Sequence, residues 1–244
     1  MHEKDPLQIR LSILLKLTAL ACALLFPTLP SFGFCPQPDP TVVCEFLNSD
    51  VVFVGEVISA RAVPPRGAEL DGWLYDLTVQ ESFRGPRTRM IEVFTENSSG
   101  RFPLDVAKKY LLFANELDAR LTITSCGNSA LLSKAQEAIR ELHRVGIPKD
   151  AAIEGRISFS GIPDSGTHAL GIQVIIRGDG RKFKVTSDRE GWFHLHVPPG
   201  QYSAEVQQIP HWKIAPYDLS YDNPSHFDAR KGRCSGLQFI ANSK

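Results

Sequence analysis

Residues 50–62 read DVVFVGEVISARA, a run that is rich in β-branched side chains and carries few charges. Such side chains favour extended backbone, and a run of this length is typical of a long strand in a barrel. Residues 73–83 follow with a period of two, which places Tyr75, Leu77 and Val79 on one face of a strand. We therefore expect a β-barrel to begin near residue 50.

Three shorter strand-like segments and one helical segment complete the first half of the chain. The strand-like segments are residues 90–94, 110–114 and 121–124, with glycine and proline between them. Apolar residues then recur at three- and four-residue intervals from Leu131 to Val145, which predicts an amphipathic helix. Its start is expected at Ser129 or Ser133, and Gly146 is expected to end it in a left-handed conformation.

The second half of the chain returns to β-type patterns. Its short apolar segments are separated by turn signals containing glycine, proline and aspartate, which predicts a β-sandwich. In residues 192–197, Phe193, Leu195 and Val197 share one face, and His194 and His196 share the other. The expected strands are residues 153–159, 171–177, 182–187, 192–197 and 201–206.

The first 33 residues have the order of a secretory signal. A charged start ends at Arg10, an apolar run covers residues 11–26, and Ser31 and Gly33 supply the small residues of a cleavage site. The apolar run is short for a membrane span, which needs about 20 residues. We expect a secreted, periplasmic or cell-surface protein, with a membrane contact only if this segment is kept as an anchor.

Four cysteines lie outside the signal segment: Cys35, Cys44, Cys126 and Cys234. An even number of cysteines in an exported chain predicts disulfides, and four cysteines allow three connectivities. No Cys-x-x-Cys pair is present, so the cysteines do not have the spacing of a zinc site.

Charge and motifs point away from nucleic acid and from catalysis. The chain has 27 lysines and arginines and 27 aspartates and glutamates, which gives a formal charge of zero. The sequence has no Gly-x-Ser-x-Gly elbow, no His-Glu-x-x-His pair and no phosphate-binding glycine loop. We therefore expect no enzyme, no catalytic residues and no cofactor.

Several segments of the first half resemble the OB-fold domain of the tissue inhibitors of metalloproteinases and its bacterial relatives. The resemblance is carried by Asn48-Ser-Asp-Val-Val-Phe-Val-Gly-Glu56, by Phe83-Arg-Gly85, by residues 102–113 (FPLDVAKKYLLF) and by Leu121-Thr-Ile-Thr-Ser-Cys126. It implies a five-stranded OB-like barrel with a C-terminal helix over residues 34–146. Residues 147–151 are expected to form a linker.

Residues 152–207 resemble the carboxypeptidase regulatory-like module, which has a transthyretin-like fold. The resemblance is carried by Gly155-Arg-Ile157, by Thr186-Ser-Asp-Arg-Glu-Gly-Trp-Phe193 and by Val197-Pro-Pro-Gly-Gln-Tyr202. It implies a small β-sandwich, expected over residues 152–244 together with a C-terminal extension, and a module without chemistry of its own.

The first resemblance also implies a disulfide pairing. In the inhibitor family, the cysteine that matches Cys35 bridges to the one that matches Cys126. Cys44 matches a family cysteine whose partner lies beyond the helix, so the resemblance pairs it with Cys234. The alternative is that Cys44 and Cys234 stay free or pair between chains.

The family's inhibitory terminus is not preserved here. In the inhibitors, an N-terminal Cys-x-Cys chelates the zinc of the enzyme, whereas this chain has Phe34-Cys35-Pro36. The position of the chelating cysteine's partner falls near Ser99, which is a serine. We expect a non-enzymatic binding or envelope-associated protein with an unknown protein or envelope ligand. Alternatives are an inhibitor without the chelating cysteine and, more remotely, a hydrolase with an unrecognised site.

The remaining polar candidates have ordinary interpretations. His194 and His196 are too few for a metal site and are expected to be exposed, so no metal is predicted. Asp218, Asp222, His226 and Asp228 are expected to be solvated loop residues. The segments 64–67 and 96–100 are the exposed candidates for ligand contact, and no individual binding residue is assigned.

Overall fold

A computed structural model describes residues 35, 40–65, 70–146, 149–160, 169–218, 220 and 222–243. The expected signal peptide, residues 1–33, lies outside them. The described residues all belong to one compact unit, Gly33–Lys244. Within the described part of the chain, no helix is long and apolar enough to cross a membrane.

The first half is an OB-like barrel with two short helices. Its elements are α1 (Val42–Asn48), β1 (Val51–Val63), β2 (Gly72–Arg84), β3 (Met90–Glu96), β4 (Lys109–Leu117), β5 (Arg120–Thr122), β6 (Ala130–Leu131) and α2 (Gln136–Leu142). β1 pairs antiparallel with both β2 and β4, and β3 pairs in parallel with β5. The order β1-β2-β3-β5-β4 therefore closes on β1, and β6 extends β4.

The first half of β1, residues 51–57, is buried on both of its faces, which explains its continuous apolar sequence. Val51 and Phe53 lie in the barrel interior, in the same cluster as Tyr75. Val52 and Val54 face outward and pack in a second cluster with residues of α1 and α2. A strand that is covered on both sides has no polar face to alternate with. Shifts of register against β2 bend β1 around the barrel.

The second half is a sandwich of two four-stranded sheets. Its strands are β7 (Ala151–Phe159), β8 (Gln173–Gly178), β9 (Arg181–Thr186), β10 (Trp192–Val197), β11 (Gly200–Val206), β12 (Trp212–Pro216), β13 (Phe227–Ala229) and β14 (Cys234–Ser243). One sheet has the order β10-β7-β14-β12 and the other β13-β11-β8-β9. Phe193, Val174 and Phe239 are among the residues of the core.

The last three strands, including the central strand β14, were not predicted from the sequence. This strand pairs in parallel with β7 and antiparallel with β12, so it lies inside its sheet. Its residues are buried on both faces, including Ser235 and Gln238 at 5% and 7% exposure. Polar residues at buried positions broke the apolar pattern that would have identified a strand.

The predicted helix at the end of the barrel is shorter than expected. Leu131 belongs to β6, and α2 covers only Gln136–Leu142. The predicted capping box is wrong, because Ala135 occupies the N-cap and no side chain caps the helix. Gly146 is not the stop, since the helix ends at Leu142 and Gly146 has no positive φ.

Helix α1, which the sequence analysis did not predict, attaches the barrel to the sandwich. Cys44 on α1 is joined to Cys234 on β14, and the second disulfide joins Cys35 to Cys126. These are the pairs that the resemblance implied. Beyond the disulfide, the Asn48 side chain donates to the carbonyl of Cys234 (2.7 Å) and accepts from its N–H (3.0 Å). The two halves are thus bonded through side chain and backbone at the same point.

Removing the Cys44–Cys234 disulfide is expected to destabilise the protein strongly. The bond closes a separation of 190 residues, for which loop closure alone contributes about 5 kcal/mol. The double variant Cys44→Ala/Cys234→Ala also leaves a void in the cluster that contains both cysteines. Urea unfolding should therefore show a loss of several kcal/mol.

The matched control is Cys35→Ala/Cys126→Ala, whose bond spans 91 residues and contributes about 4.6 kcal/mol by the same relation. A loss larger in the control than in the Cys44–Cys234 variant would contradict the role given to α1.

Candidate functional site

A cleft of about 590 Å³ opens between the barrel and the sandwich. Its walls come from α1, from the loop after β3, from the ends of β4 and β5, and from β7, β10 and β14. This volume lies in the range of sites for small molecules or a few side chains, about 300–1,000 Å³. Because both halves contribute walls, the cleft depends on the contact that α1 makes with the sandwich.

The charged side chains among the described residues that line the cleft are all acidic. They are Glu45 on α1, Glu96 at the end of β3, Glu154 on β7, and Asp222 before β14. Among the described lining residues, none is lysine, arginine or histidine. Charges of one sign between low-dielectric walls raise the local potential and attract groups of the opposite sign.

Glu154 holds the start of α1. It is 5% exposed, and its carboxylate accepts hydrogen bonds from the backbone N–H (3.0 Å) and the hydroxyl of Thr41. Thr41 is the N-cap residue of α1 and accepts from the N–H of Cys44 at 3.3 Å. His194 Nδ1 lies 3.6 Å from the same carboxylate. A buried carboxylate needs such donors, and these link β7 to the helix.

Glu45 holds the segment around Asn128 against α1. Its carboxylate accepts from the backbone N–H of Asn128 (2.6 Å) and from the Asn128 side chain (2.7 Å). The same amide donates to the carbonyl of Pro40 at 2.8 Å. Gly127 packs so closely that an added Cβ would lie 2.3 Å from Glu45 Oε1. The carboxylate is therefore fixed beside the Cys35–Cys126 disulfide.

Asp222 is half-buried and accepts a hydrogen bond from the N–H of Gly236 at 2.9 Å. Burial raises the pKa of the Asp222 carboxyl above its usual value, and the hydrogen bond from Gly236 opposes that shift. The N–H of Asp222 donates in turn to the carbonyl of Gly236 at 3.0 Å. This reciprocal pair fixes the segment before β13 against β14.

Ser49 is the least satisfied polar residue at the cleft. It is 1% exposed, and its hydroxyl has no hydrogen-bond partner among the residues that the structure describes. It also lines the cleft, directly after α1. A buried hydroxyl without a partner costs about 1–3 kcal/mol, so a ligand group that supplies a partner gains that interaction.

Trp192 supplies an aromatic wall. The Arg156 guanidinium lies 5.3 Å from its ring centroid, and the His194 ring stacks at 6.3 Å. Gly155 also lines the cleft, and an added Cβ there would lie 2.1 Å from Phe193. The backbone of β7 is therefore brought close to the ring that fills the sandwich core.

Most of the polar residues singled out in the sequence are exposed as predicted, and Asp222 is the exception. His194 and His196 are exposed as expected, and among the described residues no group of three His, Cys, Asp or Glu could hold a metal. Asp218, His226 and Asp228 are exposed, but Asp222 is not the solvated residue that was expected. Of the two exposed candidate segments, 96–100 lines the cleft, whereas 64–67 lies partly outside the described residues.

Glu154 was not predicted from the sequence as a residue of the site. The signal was present, since Glu154 is the single charge in the run Ala151-Ala-Ile-Glu-Gly155. A lone carboxylate in an apolar strand is rarely buried without a partner, and here that partner is Thr41, 113 residues away.

Comparisons with known proteins find neither a protein family nor a curated protein that matches. Among solved structures, the Bacillus anthracis TIE protein has a TM-score of 0.31 and 12% identity over 80% of this chain and 41% of that one. A pilus-presented adhesin, Spy0125, has a TM-score of 0.24 and 11% identity over 68% of this chain and 39% of that one. A single B repeat of the collagen-binding surface protein of Staphylococcus aureus has a TM-score of 0.25 and 11% identity over 84% and 94%. The chain thus spans less than half of the first two.

Replacing Asp222 should change stability in a pH-dependent way. When folding raises the pKa of a carboxyl, the free energy of unfolding is unaffected at low pH, where the carboxyl is protonated in both the folded and the unfolded protein. It falls as the pH rises and the carboxyl ionises in the unfolded protein. Asp222→Asn removes that cost and keeps an acceptor for Gly236. We expect its gain in free energy of unfolding over the parent to be larger at about pH 7 than at about pH 3.

Urea unfolding at the two pH values measures this difference. A gain that is larger at the acidic pH would show that the hydrogen bond outweighs burial, contrary to this account. His196→Asn, on an exposed strand position, serves as the surface control.

Proposed function

We propose that this chain is an exported, non-enzymatic binding protein of the cell envelope or the extracellular space, and that its ligand occupies the cleft between barrel and sandwich. The observation that supports this is the cleft itself, about 590 Å³ in volume, with walls from both halves of the chain. Sites between two modules are a common location for ligand binding.

Export is supported by the signal-like first 33 residues and by the cysteines. The described residues contain two disulfides, Cys35–Cys126 and Cys44–Cys234. Such bonds form and persist in oxidising compartments and are rare in the cytoplasm. We propose the boundaries 1–33 for the signal, 34–146 for the barrel, 147–151 for a linker and 152–244 for the sandwich, with Ala151 at the end of the linker also opening β7.

A binding role also agrees with what three of the four described carboxylates of the cleft do. Glu154 and Glu45 accept hydrogen bonds from Thr41 and Asn128, and Asp222 accepts one from Gly236. Carboxylates that hold structural donors are suited to orient a ligand, whereas a general acid or base needs a free proton-transfer path. The proposal is therefore a protein that holds its ligand without converting it.

Inhibition of a metalloproteinase without the chelating cysteine is the second candidate. The observation that favours it is the Cys35–Cys126 disulfide, which the resemblance to the tissue inhibitors implied. In this candidate, the N-terminal segment rather than the cleft contacts the protease. A variant with a blocked cleft that still inhibits a zinc protease would therefore support inhibition over ligand binding in the cleft.

The proposed site is tested by filling the cleft with a large side chain and mapping where small fragments bind. Gly100 lines the cleft, and a Cβ added there meets only Ser98 Oγ at 3.6 Å, so Gly100→Trp is tolerated by the backbone. The matched control is Gly146→Trp, since Gly146 has no atom within 4 Å of an added Cβ and does not line the cleft.

NMR chemical shifts of the exported protein are measured with equal sets of cationic, neutral and anionic fragments. We expect at least one set to shift the amides of Ser98, Asn115 and Gly236. These shifts should be lost in Gly100→Trp and kept in Gly146→Trp. If no set of fragments shifts the amides of the cleft preferentially, or if Gly100→Trp leaves these shifts unchanged, the proposed site is wrong.

A further inference from the structure

From the charges and the unpartnered hydroxyl of the cleft, we infer that the ligand is a basic peptide segment, whose lysine or arginine side chains enter the cleft. The inference rests on the proposed function, because it names the ligand class of the same site. All charged side chains among the described lining residues are carboxylates: Glu45, Glu96, Glu154 and Asp222. A ligand of opposite charge gains from each of them, and an anionic ligand is repelled.

The carboxylates are spread along the cleft rather than gathered around one point. In the described part of the chain, no three His, Cys, Asp or Glu side chains are arranged to hold a metal ion. Separate acidic positions fit several cationic groups on one flexible chain better than a single ion. Consecutive basic side chains on an extended peptide project at intervals of about 3.3 Å per residue along the backbone, which allows them to reach different carboxylates.

Glu96 is the carboxylate with the greatest freedom to accept a cation. Among the described residues, its side chain has no hydrogen bond or ion pair, whereas Glu154 and Asp222 already accept from backbone N–H groups. It lies at the end of β3, on the loop segment that also carries Ser98 and Ser99. We assign to it the first contact with an incoming cation.

Ser49 is the second and independent indication of a ligand. Its hydroxyl is buried without a partner in the described part of the chain, and the residue lines the cleft. A hydroxyl oxygen accepts from the N–H groups of an ammonium or guanidinium ion. A cationic donor therefore satisfies a group that the protein itself leaves unsatisfied.

The uncharged walls suit the stems of basic side chains. Trp192, which lines the cleft, presents a half-buried ring. Lysine and arginine bury their methylene stems on apolar surface while their charged ends stay polar. The cleft thus offers both kinds of contact that such side chains make.

Isothermal titration of the exported protein with tetralysine, tetraarginine, tetraglutamate and spermine tests the inference. We expect the two basic peptides to bind and tetraglutamate not to bind. Raising the salt concentration should weaken binding. Glu96→Gln should weaken tetralysine binding by about fivefold, the size expected for one partly exposed ion pair.

Glu116→Gln is the matched control, because Glu116 is an exposed carboxylate on β4 that does not line the cleft. It should leave binding unchanged. Equal losses in both variants would mean that general charge, not the cleft, attracts the peptide, and would overturn the inference. Tighter binding of spermine than of either peptide would also overturn it, in favour of a small polyamine.

The result also separates this inference from the proposed function. If neutral or anionic fragments bind in the cleft and the basic peptides do not, the ligand class is wrong and the site stands. If none of the probes shifts the amides of the cleft, both are wrong.

Discussion

The attachment of helix α1 to the sandwich is the constraint on which the rest of the structure depends. The helix has only seven residues, too few to be stable alone. It is held at its start by the Thr41–Glu154 hydrogen bonds, in its first turn by the Cys44–Cys234 disulfide, and at its end by Asn48. These contacts hold α1 between the outer face of β1 and the sandwich. The barrel and the sandwich therefore share a packed cluster rather than a flexible joint.

The cleft is a consequence of that attachment. Two of its acidic residues are oriented by hydrogen bonds within the protein: Glu154 accepts from Thr41, which joins the halves, and Asp222 accepts from Gly236 within the sandwich. Orientation before binding lowers the entropy that a ligand must lose. The same arrangement leaves carboxylates as the only charged groups among the described lining residues, which favours a ligand that carries the opposite charge. The structural bonds and the proposed binding role therefore depend on the same side chains.

Much of the fold could be predicted from the sequence, but the site could not. The apolar run at residues 50–62 and the alternation at residues 73–83 identified the long barrel strands, because their burial follows directly from their side chains. Helix α1 and strand β14 were missed, since α1 is short and β14 buries Ser235 and Gln238. Thr41 and Glu154 lie beside each other at the cleft, although they are 113 residues apart in the sequence. Neither of the two local segments has a pattern that predicts this contact. Only the cysteine pairing, taken from the resemblance, pointed to a contact between the halves.

The central claim is that α1 joins the barrel and the sandwich into one rigid body with a preformed cleft. Pulsed electron paramagnetic resonance tests this claim most directly, because it measures the distance between two spin labels. The labels are attached through unnatural amino acids at two exposed positions, Ile58 in the barrel and Lys184 in the sandwich. The account predicts one narrow distance distribution in the oxidised protein, and a broader one after reduction of the disulfides. A broad distribution in the oxidised protein would contradict it, because the walls of the cleft would then move independently of each other.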